Sequence, residues 1–171
     1  MFTEPLVQDY LEIAIKVEAE QFCKQVPPVL VEVFTDQQPA FQRPKTAMHD
    51  AGPPKPRKLL DHRRRVFELG SPSKGFGVLT LGRSEENSLV VQDETVSSRH
   101  VRLTRVRTTG QILLEDLGST NGTYVNGKMV IQGRAVELHD GDMVGLGDTL
   151  FVFMTPGGFW RRLKELGGDA Y

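Results

Sequence analysis

Short runs in which apolar and polar residues alternate fill the chain from about Arg63 to Thr155. Alternation with a period of two predicts half-buried β-strands, and turns rich in Gly, Asn and Asp separate the runs. The Asn126-Gly127 pair between two of them favours a two-residue hairpin. About ten strands without helices between them predict an all-β, antiparallel sandwich or barrel. The predicted strands are RRVFEL, VLTLGR, SLVV, VRLTRV, ILLEDL, TYVN, MVI, AVEL, DMVGL and TLFVFM.

The apolar positions of these runs define a candidate core, and about ninety residues bury enough apolar area for one stable core. Along VRLTRVR the alternation fails near Arg105, which predicts a bulge or an early strand end there. The predicted core residues are Phe67, Leu79, Leu81, Val90, Val101, Leu103, Ile112, Leu114, Val136, Leu138, Val144, Phe151 and Phe153.

The first 35 residues have a helical pattern instead. Leu6, Tyr10, Ala14 and Val17 recur at intervals of three and four, which predicts an amphipathic helix that must end at Pro27-Pro28. VLVEVF, residues 29–34, then predicts a short strand. Because one helix cannot bury its own apolar face, we expect it to dock on the main domain or on another chain, the second giving self-association.

Residues 36–62 predict a linker, since they hold five prolines and few apolar residues. Charge is segregated here: residues 1–36 carry seven acidic and two basic residues, and residues 37–65 carry two acidic and eight basic ones. A basic linker beside an acidic helix suits nucleic acid, an acidic partner or self-contact, and the alternative is simple solubilising charge.

A second amphipathic helix is predicted over GFWRRLKEL, residues 158–166, with Phe159, Trp160, Leu163 and Leu166 facing the sandwich. The chain therefore divides into a helix and strand (1–35), a Pro-rich basic linker (36–62), the β domain (63–157) and a C-terminal helix and tail (158–171).

Composition narrows the function classes. The net charge of −1 gives no general attraction to nucleic acid or membranes. Cys23 is the only cysteine, which excludes an intrachain disulfide and any zinc site built from several cysteines. The chain has no apolar run of about 20 residues and no basic leader before an apolar stretch, so we expect a cytoplasmic protein with no membrane partner.

The pair Ser97 and His100 raises the question of catalysis, because a serine near a histidine could be a nucleophile with its base. The G-x-S-x-G elbow is missing, and Asp93 or Asp116 would complete a triad only by coincidence. GSPSKGFG is not a P-loop, since Phe76 stands where the lysine must follow. The sequence therefore predicts no enzyme.

The four histidines also lack the spacing of metal ligands, and no cofactor motif is present. They are His49, His62, His100 and His139. The sequence predicts neither a metal nor a cofactor.

The same Ser-His segment fits a phosphate receptor. A phosphothreonine carries about −1.5 to −2 charges and three acceptor oxygens, which a guanidinium, hydroxyls and backbone N–H groups bind well. Alternate turns of an antiparallel sandwich gather at one end, so three polar segments can converge there. They are Leu81-Gly82-Arg83-Ser84, Ser97-Ser98-Arg99-His100 and Gly118-Ser119-Thr120-Asn121-Gly122-Thr123.

Together these segments resemble the forkhead-associated (FHA) domain. The matching motifs are Gly82-Arg83, Ser97-x-x-His100, Thr120-Asn121-Gly122 and the later LHDGDMVGLG, residues 138–147. The resemblance covers about residues 64–155 and implies an FHA-type antiparallel β-sandwich of eleven strands. It also implies that loops at one end bind phosphothreonine peptides.

The resemblance further implies roles for single residues. Arg83 and Ser97 would contact the phosphate, Thr120 and Ser98 would lie beside the phosphothreonine, and Asn121 would hold the peptide backbone.

Gly82, His100 and Gly122 would shape and brace the loops rather than touch the ligand. Arg99 stays open, since it either helps to hold the phosphate or faces water.

These expectations describe a non-catalytic adaptor in Ser/Thr-kinase signalling, whose partners are a phosphothreonine protein or peptide and a Ser/Thr kinase. The alternative is a phosphate-independent scaffold or a nucleic-acid-associated protein acting through the N-terminal helix and the basic linker, although nucleic acid is not the expected partner.

A further hypothesis is that phosphorylation of Thr3, Thr35 or Thr46 lets the chain bind its own loops. The alternative is that these threonines are never modified.

Overall fold

The computed structural model describes residues 4–33 and 60–168. These residues form three helices, α1 (Val7–Lys16), α2 (Ala19–Gln25) and α3 (Pro156–Gly168). The strands are β1 (Val29–Val33), β2 (Val66–Glu68), β3 (Val78–Gly82), β4 (Leu89–Val90), β5 (Val101–Arg105), β6 (Ile112–Asp116), β7 (Thr123–Val125), β8 (Lys128–Met129), β9 (Val136–Leu138), β10 (Met143–Leu146) and β11 (Thr149–Met154). Each run that predicts a strand contains one, except that β8 overlaps the predicted run MVI, residues 129–131, only at Met129.

The strands form two sheets that pack face to face, which confirms the predicted sandwich. One sheet has six strands in the order β2-β1-β11-β10-β7-β8, and the other has five in the order β4-β3-β5-β6-β9. Neighbouring strands are antiparallel except for the short β3–β4 pair, which is parallel. The strand predicted from VLVEVF is β1, and it lies inside the six-stranded sheet between β2 and β11.

The core between the sheets contains most of the predicted residues. Leu79 and Val136 are partly buried against it rather than fully enclosed. The prediction for Val90 is wrong: its neighbour Val91 is buried in the core instead. The reason is that β4 pairs with β3 over only two residues, after which the Val91 N–H donates to the Gly82 carbonyl at 2.9 Å and the chain turns inward.

The irregularity expected near Arg105 is an early strand end. β5 stops at Arg105, and the Val106 N–H donates to the Gln111 carbonyl at 2.8 Å to close a turn. Gly110 lies in that turn with φ 75°, a conformation that favours glycine.

The N-terminal segment forms two helices, so the prediction of a single helix up to Pro27-Pro28 is wrong. Val17 and Glu18 are extended and separate α1 from α2, and the prolines follow the end of α2. The β-branched Ile13, Ile15 and Val17 weaken helix propensity at this point. The Trp160 indole N–H donates to the Val17 carbonyl at 3.2 Å, which satisfies an acceptor that a helix end leaves unpaired.

Both N-terminal helices dock on the same chain, as one of the two alternatives predicts. With α3 they cover the outer face of β2, β1 and β11 in the six-stranded sheet and form a second buried cluster, the helix-side cluster. The Phe159 ring lies at its centre, 5.2 Å from the ring of Tyr10 and 6.0 Å from that of Phe22. Phe159 and Leu163 therefore pack as predicted for the C-terminal helix, and self-association through the N-terminal helix stays a prediction.

Some of the predictions concern residues outside the described ranges. They include the linker up to residue 59 and Thr3, Thr35 and Thr46. Of the helices that the structure describes, none has the length and apolar character to cross a membrane.

Candidate phosphate-binding site

Three loops that carry the predicted site residues lie at one end of the sandwich. Loop A (residues 83–88) joins β3 to β4, loop B (residues 91–100) joins β4 to β5, and loop C (residues 117–122) joins β6 to β7. They converge because β5 begins beside the ends of both β3 and β6: Val101 pairs with Leu81 on one side and with Asp116 on the other. The sheet topology therefore brings the three loops to the same end of the sandwich.

Loops A and B are joined through their backbones. The Arg83 N–H donates to the Ser97 carbonyl at 3.0 Å, and the Ser84 N–H donates to the Ser98 carbonyl at 3.2 Å. The buried amide of Asn87 reinforces this contact by donating to the same Ser98 carbonyl at 2.6 Å and to the Ser84 carbonyl at 2.7 Å. The sequence analysis missed Asn87, because its position in the polar turn of residues 84–88 gives no sign that it is buried.

Gly82 permits this close approach of the two loops. A Cβ atom at residue 82 would lie 2.3 Å from the Ser98 carbonyl oxygen and 2.8 Å from the Asn87 side-chain nitrogen. Any larger residue must push loop B away from the end of β3, so glycine here has a steric reason.

His100 joins loop B to loop C, and its side chain is fully buried. Its Nδ1 accepts the Ser97 backbone N–H at 3.0 Å, so the proton of the neutral ring is on Nε2, which donates to the Gly122 carbonyl at 3.0 Å. Burial lowers the pKa of His100, and the Gly122 carbonyl and Asp116 only partly oppose that effect. The histidine is therefore a neutral brace, and neither ring nitrogen is bonded to the Ser97 hydroxyl.

The Ser97 hydroxyl instead accepts the Thr120 backbone N–H at 3.0 Å. This bond brings Thr120 of loop C next to Ser97 of loop B. Asn121 is fixed to loop B as well, since its side-chain amide donates to the Thr95 carbonyl at 2.9 Å. Gly122 follows with φ 86°, the left-handed conformation that suits glycine in a turn.

Asp116, the last residue of β6, fixes the conformation of loop C through hydrogen bonds. Its carboxylate accepts the backbone N–H groups of Gly118 and Ser119 at 2.9 and 3.1 Å and the hydroxyls of Ser119 and Thr123, both at 2.5 Å. Burial alone would raise the pKa of Asp116, but these hydrogen bonds outweigh burial and lower it. Sequence reasoning considered Asp116 only as a triad member; an aspartate just before a Gly-Ser-Thr turn was the signal for this role.

Asp93 does the same for loop B. It accepts the Thr95 N–H and hydroxyl at 2.8 and 2.6 Å and the Thr149 hydroxyl at 2.8 Å, and these bonds lower its pKa despite the opposing effect of burial. The Thr95 hydroxyl also accepts the Asp148 N–H at 2.8 Å. Loop B is thus tied to the β10–β11 turn, a contact that sequence reasoning also missed.

Two exposed arginines, Arg83 and Arg99, lie on loops A and B. The Arg83 side chain is anchored by its Nε, which donates to the Val96 carbonyl at 3.1 Å. Arg99 and Ser98 are exposed in loop B. Within residues 4–33 and 60–168, no carboxylate forms an ion pair with Arg83 or Arg99. The loops therefore bring Arg83, Ser97 and Thr120 together, whereas no bond fixes the Arg99 guanidinium to the described residues.

Across the described ranges, no three His, Cys, Asp or Glu side chains are grouped so that they could hold a metal ion.

Comparisons with known proteins point to the same family as the motifs. The family model described as "FHA domain" matches residues 79–147. The ABC transporter ATP-binding/permease protein Rv1747 of Mycobacterium tuberculosis is 42% identical over 90 residues, which are 53% of this chain and 10% of that protein. The probable serine/threonine-protein kinase fhkA of Dictyostelium discoideum is 36% identical over 76 residues, 40% of this chain and 13% of that protein. The chain thus spans only about a tenth of the length of these two relatives.

A solved structure shares the fold. An engineered FHA domain with a Myc-pTBD peptide has a TM-score of 0.51 and 20% sequence identity, with 81% of this chain and 98% of that chain covered. At this identity the likeness concerns the β-sandwich alone.

Proposed function

The chain belongs to the FHA-domain proteins through residues 79–147, and on that premise we propose that loops A, B and C bind a phosphothreonine peptide. In this role the protein is a non-catalytic adaptor in Ser/Thr-kinase signalling. Its partner is a protein that a Ser/Thr kinase has phosphorylated on threonine.

One observation carries the proposal: an arginine without an acidic partner among the described residues lies beside a hydroxyl whose proton is available. Arg83 is fixed through its Nε, which leaves its terminal nitrogens to face solvent. Because the Ser97 oxygen already accepts the Thr120 N–H, its own O–H can donate outward. A guanidinium and a hydroxyl donor match the charge and the acceptor oxygens of a phosphate.

The other predicted contacts follow from their positions around Ser97. Ser98 and Thr120 lie exposed on either side of it, next to the phosphothreonine. Asn121 is held by its bond to the Thr95 carbonyl and is positioned to meet the peptide backbone. Arg99 supplies a second positive charge, and whether it touches the phosphate stays a prediction.

The bonds of His100 support a role without catalysis. Its Nδ1 already accepts a backbone N–H and its Nε2 donates to a backbone carbonyl, so the ring has no nitrogen left to take the Ser97 proton. A general base must reach the proton that it removes.

Two observations bear on the remaining predictions. The apolar face of α1 is buried in the helix-side cluster, which leaves the phosphate-independent scaffold without its proposed docking face. The relative named as a probable serine/threonine-protein kinase supports the link to kinase signalling. A cytoplasmic location stays a prediction.

The test is to titrate the protein with a degenerate phosphothreonine-peptide library beside its unphosphorylated and phosphoserine counterparts. We expect wild-type binding only with phosphothreonine, and a loss of about thirtyfold or more in Arg83→Ala, because truncating one partner of a charge pair costs about 2–5 kcal/mol. Arg107→Ala is the matched control, since Arg107 is an exposed arginine at the opposite end of the sandwich.

Equal binding by Arg83→Ala and wild type would show that the assignment of the site is wrong. Equal binding of phosphorylated and unphosphorylated libraries would instead favour the phosphate-independent alternative.

A further inference from the structure

Two large apolar side chains lie exposed next to loop C. Met129 is 66% exposed and Ile131 is 59% exposed, and only Ile15 and Val78 are comparable among the large hydrophobic residues that the structure describes. Between the two lies Val130, which is buried in the main core. Since successive side chains of an extended segment point to opposite faces, Met129 and Ile131 both point away from the core.

Met129 is the last member of a row of residues that crosses the outer face of the six-stranded sheet. In register, Met129 pairs with Tyr124, Tyr124 with Gly145, and Gly145 with Leu150. The row runs under the helices at one side, where Leu150 packs against the helix-side cluster. At the β8 edge no helix covers the row, and Met129 is exposed there. The apolar surface that Met129 forms has no partner among the described residues.

This surface adjoins loop C at both ends of the loop. A Cβ on Gly122 would lie 3.2 Å from the edge of the Tyr124 ring. A Cβ on Gly118 would lie 2.9 Å from the side-chain nitrogen of Gln132, the residue after Ile131. A peptide bound at Thr120 and Asn121 therefore passes within a few residues of the apolar pair.

A positive charge lies next to the apolar pair. Arg134 is exposed in the turn that follows Ile131, where its backbone N–H donates to the Ile131 carbonyl at 3.0 Å, and it forms no ion pair with any other described residue. Lys128 precedes the pair but pairs with Val125, so it lies on the opposite face of β8 from Met129. No acidic residue occurs in the sequence between residues 117 and 135. We call this surface, made of Met129, Ile131 and Arg134, the edge patch. Its chemistry suits an apolar side chain next to acidic ones.

We propose that the edge patch is a second contact for the phosphorylated partner, which places an apolar side chain with acidic neighbours on it while its phosphothreonine occupies loops A, B and C. This inference rests on the proposed function. Two contacts made by one polypeptide reinforce each other, because the first raises the local concentration of the second. The edge patch therefore selects among partners that all carry phosphothreonine.

The experiment uses the full chain and a phosphothreonine-peptide library with about six randomised residues on each side, which reach roughly 20 Å when extended. Wild type is expected to select apolar residues next to Asp or Glu in one flank. The double variant Met129→Ser/Ile131→Ser is expected to lose this selection and to bind the selected peptide about tenfold more weakly. Its affinity for a phosphothreonine peptide of the same length with alanine flanks is expected to be unchanged.

Two further variants separate the contributions. Arg134→Glu is expected to lose the acidic preference while it keeps the apolar one. Val78→Ser is the matched control, since Val78 is 56% exposed on the other sheet, at the end away from loop C. Its selection is expected to equal that of wild type.

The outcomes distinguish this inference from the proposed function. If wild type binds phosphothreonine peptides but Met129→Ser/Ile131→Ser selects the same flanks with the same affinity, the edge patch is not a contact and the proposed function stands. If wild type binds alanine-flanked and selected peptides equally, the inference is overturned in the same way. If wild type binds no phosphothreonine peptide, both are overturned.

Discussion

The loop end and the helix-covered side of the sandwich both depend on buried side chains, but the chemistry of those side chains differs. At the loop end the buried groups are polar: His100 and Asp116 bond to particular backbone atoms, and the Thr123 hydroxyl donates to Asp116. On the helix-covered side they are apolar, and Phe22 and Phe159 pack at ring distance. Hydrogen bonds are directional and fix loop conformations, whereas apolar burial is not directional and mainly supplies stability.

The comparison therefore separates a region that shapes the binding site from a region that stabilises the fold. Three substitutions test the separation, and they are ordered here from the largest expected effect on stability to the smallest.

Phe159→Ala removes the central ring of the helix-side cluster. We expect the free energy of unfolding to fall by about 3–5 kcal/mol, since burial is lost and a cavity remains. Urea denaturation measures this change. Phosphothreonine-peptide affinity of the folded protein is expected to stay within about twofold of wild type. A parallel loss of affinity would mean that the helices also shape the loops.

Asp116→Ala removes the acceptor for four donors of loop C and its flank. We expect a loss of about 2–3 kcal/mol in the free energy of unfolding, because buried donors lose their partner. Peptide affinity is expected to fall by about tenfold or more, because Thr120 and Asn121 are no longer held in place.

Asp148→Ala is the control for this variant, as Asp148 is an exposed acid at the same end whose bond to Thr95 comes from the backbone. If Asp116→Ala loses stability but binds peptide as wild type does, loop C does not need its brace.

The pH dependence of stability gives the smallest effect. Burial lowers the pKa of His100 in the folded chain, so the unfolded chain takes up a proton first as the pH falls. Stability from this group is full above its unfolded pKa, about 6.5, and declines below it toward the folded pKa. Denaturant unfolding between about pH 7.5 and pH 5 measures the decline.

His100→Gln is the comparison variant, because its amide can still donate to the Gly122 carbonyl and does not titrate. We expect a flatter pH profile over this range. The same slope in both proteins would assign the decline to other groups.

Much of the molecule is predictable from local patterns. Short alternating or apolar runs locate the strands, with β8 shifted from its predicted run, and Gly82-Arg83, Ser97-x-x-His100 and Thr120-Asn121-Gly122 locate the three loops. These features depend on residues that are neighbours in sequence, where side-chain periodicity and turn preferences act directly. The end of β5 at Arg105 belongs to the same class, since the broken alternation marks it.

Contacts between distant segments were not predictable in the same way. The bond from Asp93 to Thr149 joins residues 56 positions apart, and no local pattern connects them. The break between α1 and α2 is stabilised by Trp160, from the other end of the chain. Val91 replaces Val90 in the core because the pairing of β4 with β3 lasts only two residues.

The sequence by itself determined the fold class, the approximate positions of the strands and the residue types of the proposed phosphate site, because periodicity and short motifs encode them locally. Only the tertiary structure decided that His100 is a neutral brace, that Asp93 and Asp116 hold the loops, and that the helices cover one half of a sheet face and leave Met129 and Ile131 exposed. The physical reason is that burial and hydrogen-bond partners depend on which distant segments meet, and the packing of the two sheets and three helices sets those meetings.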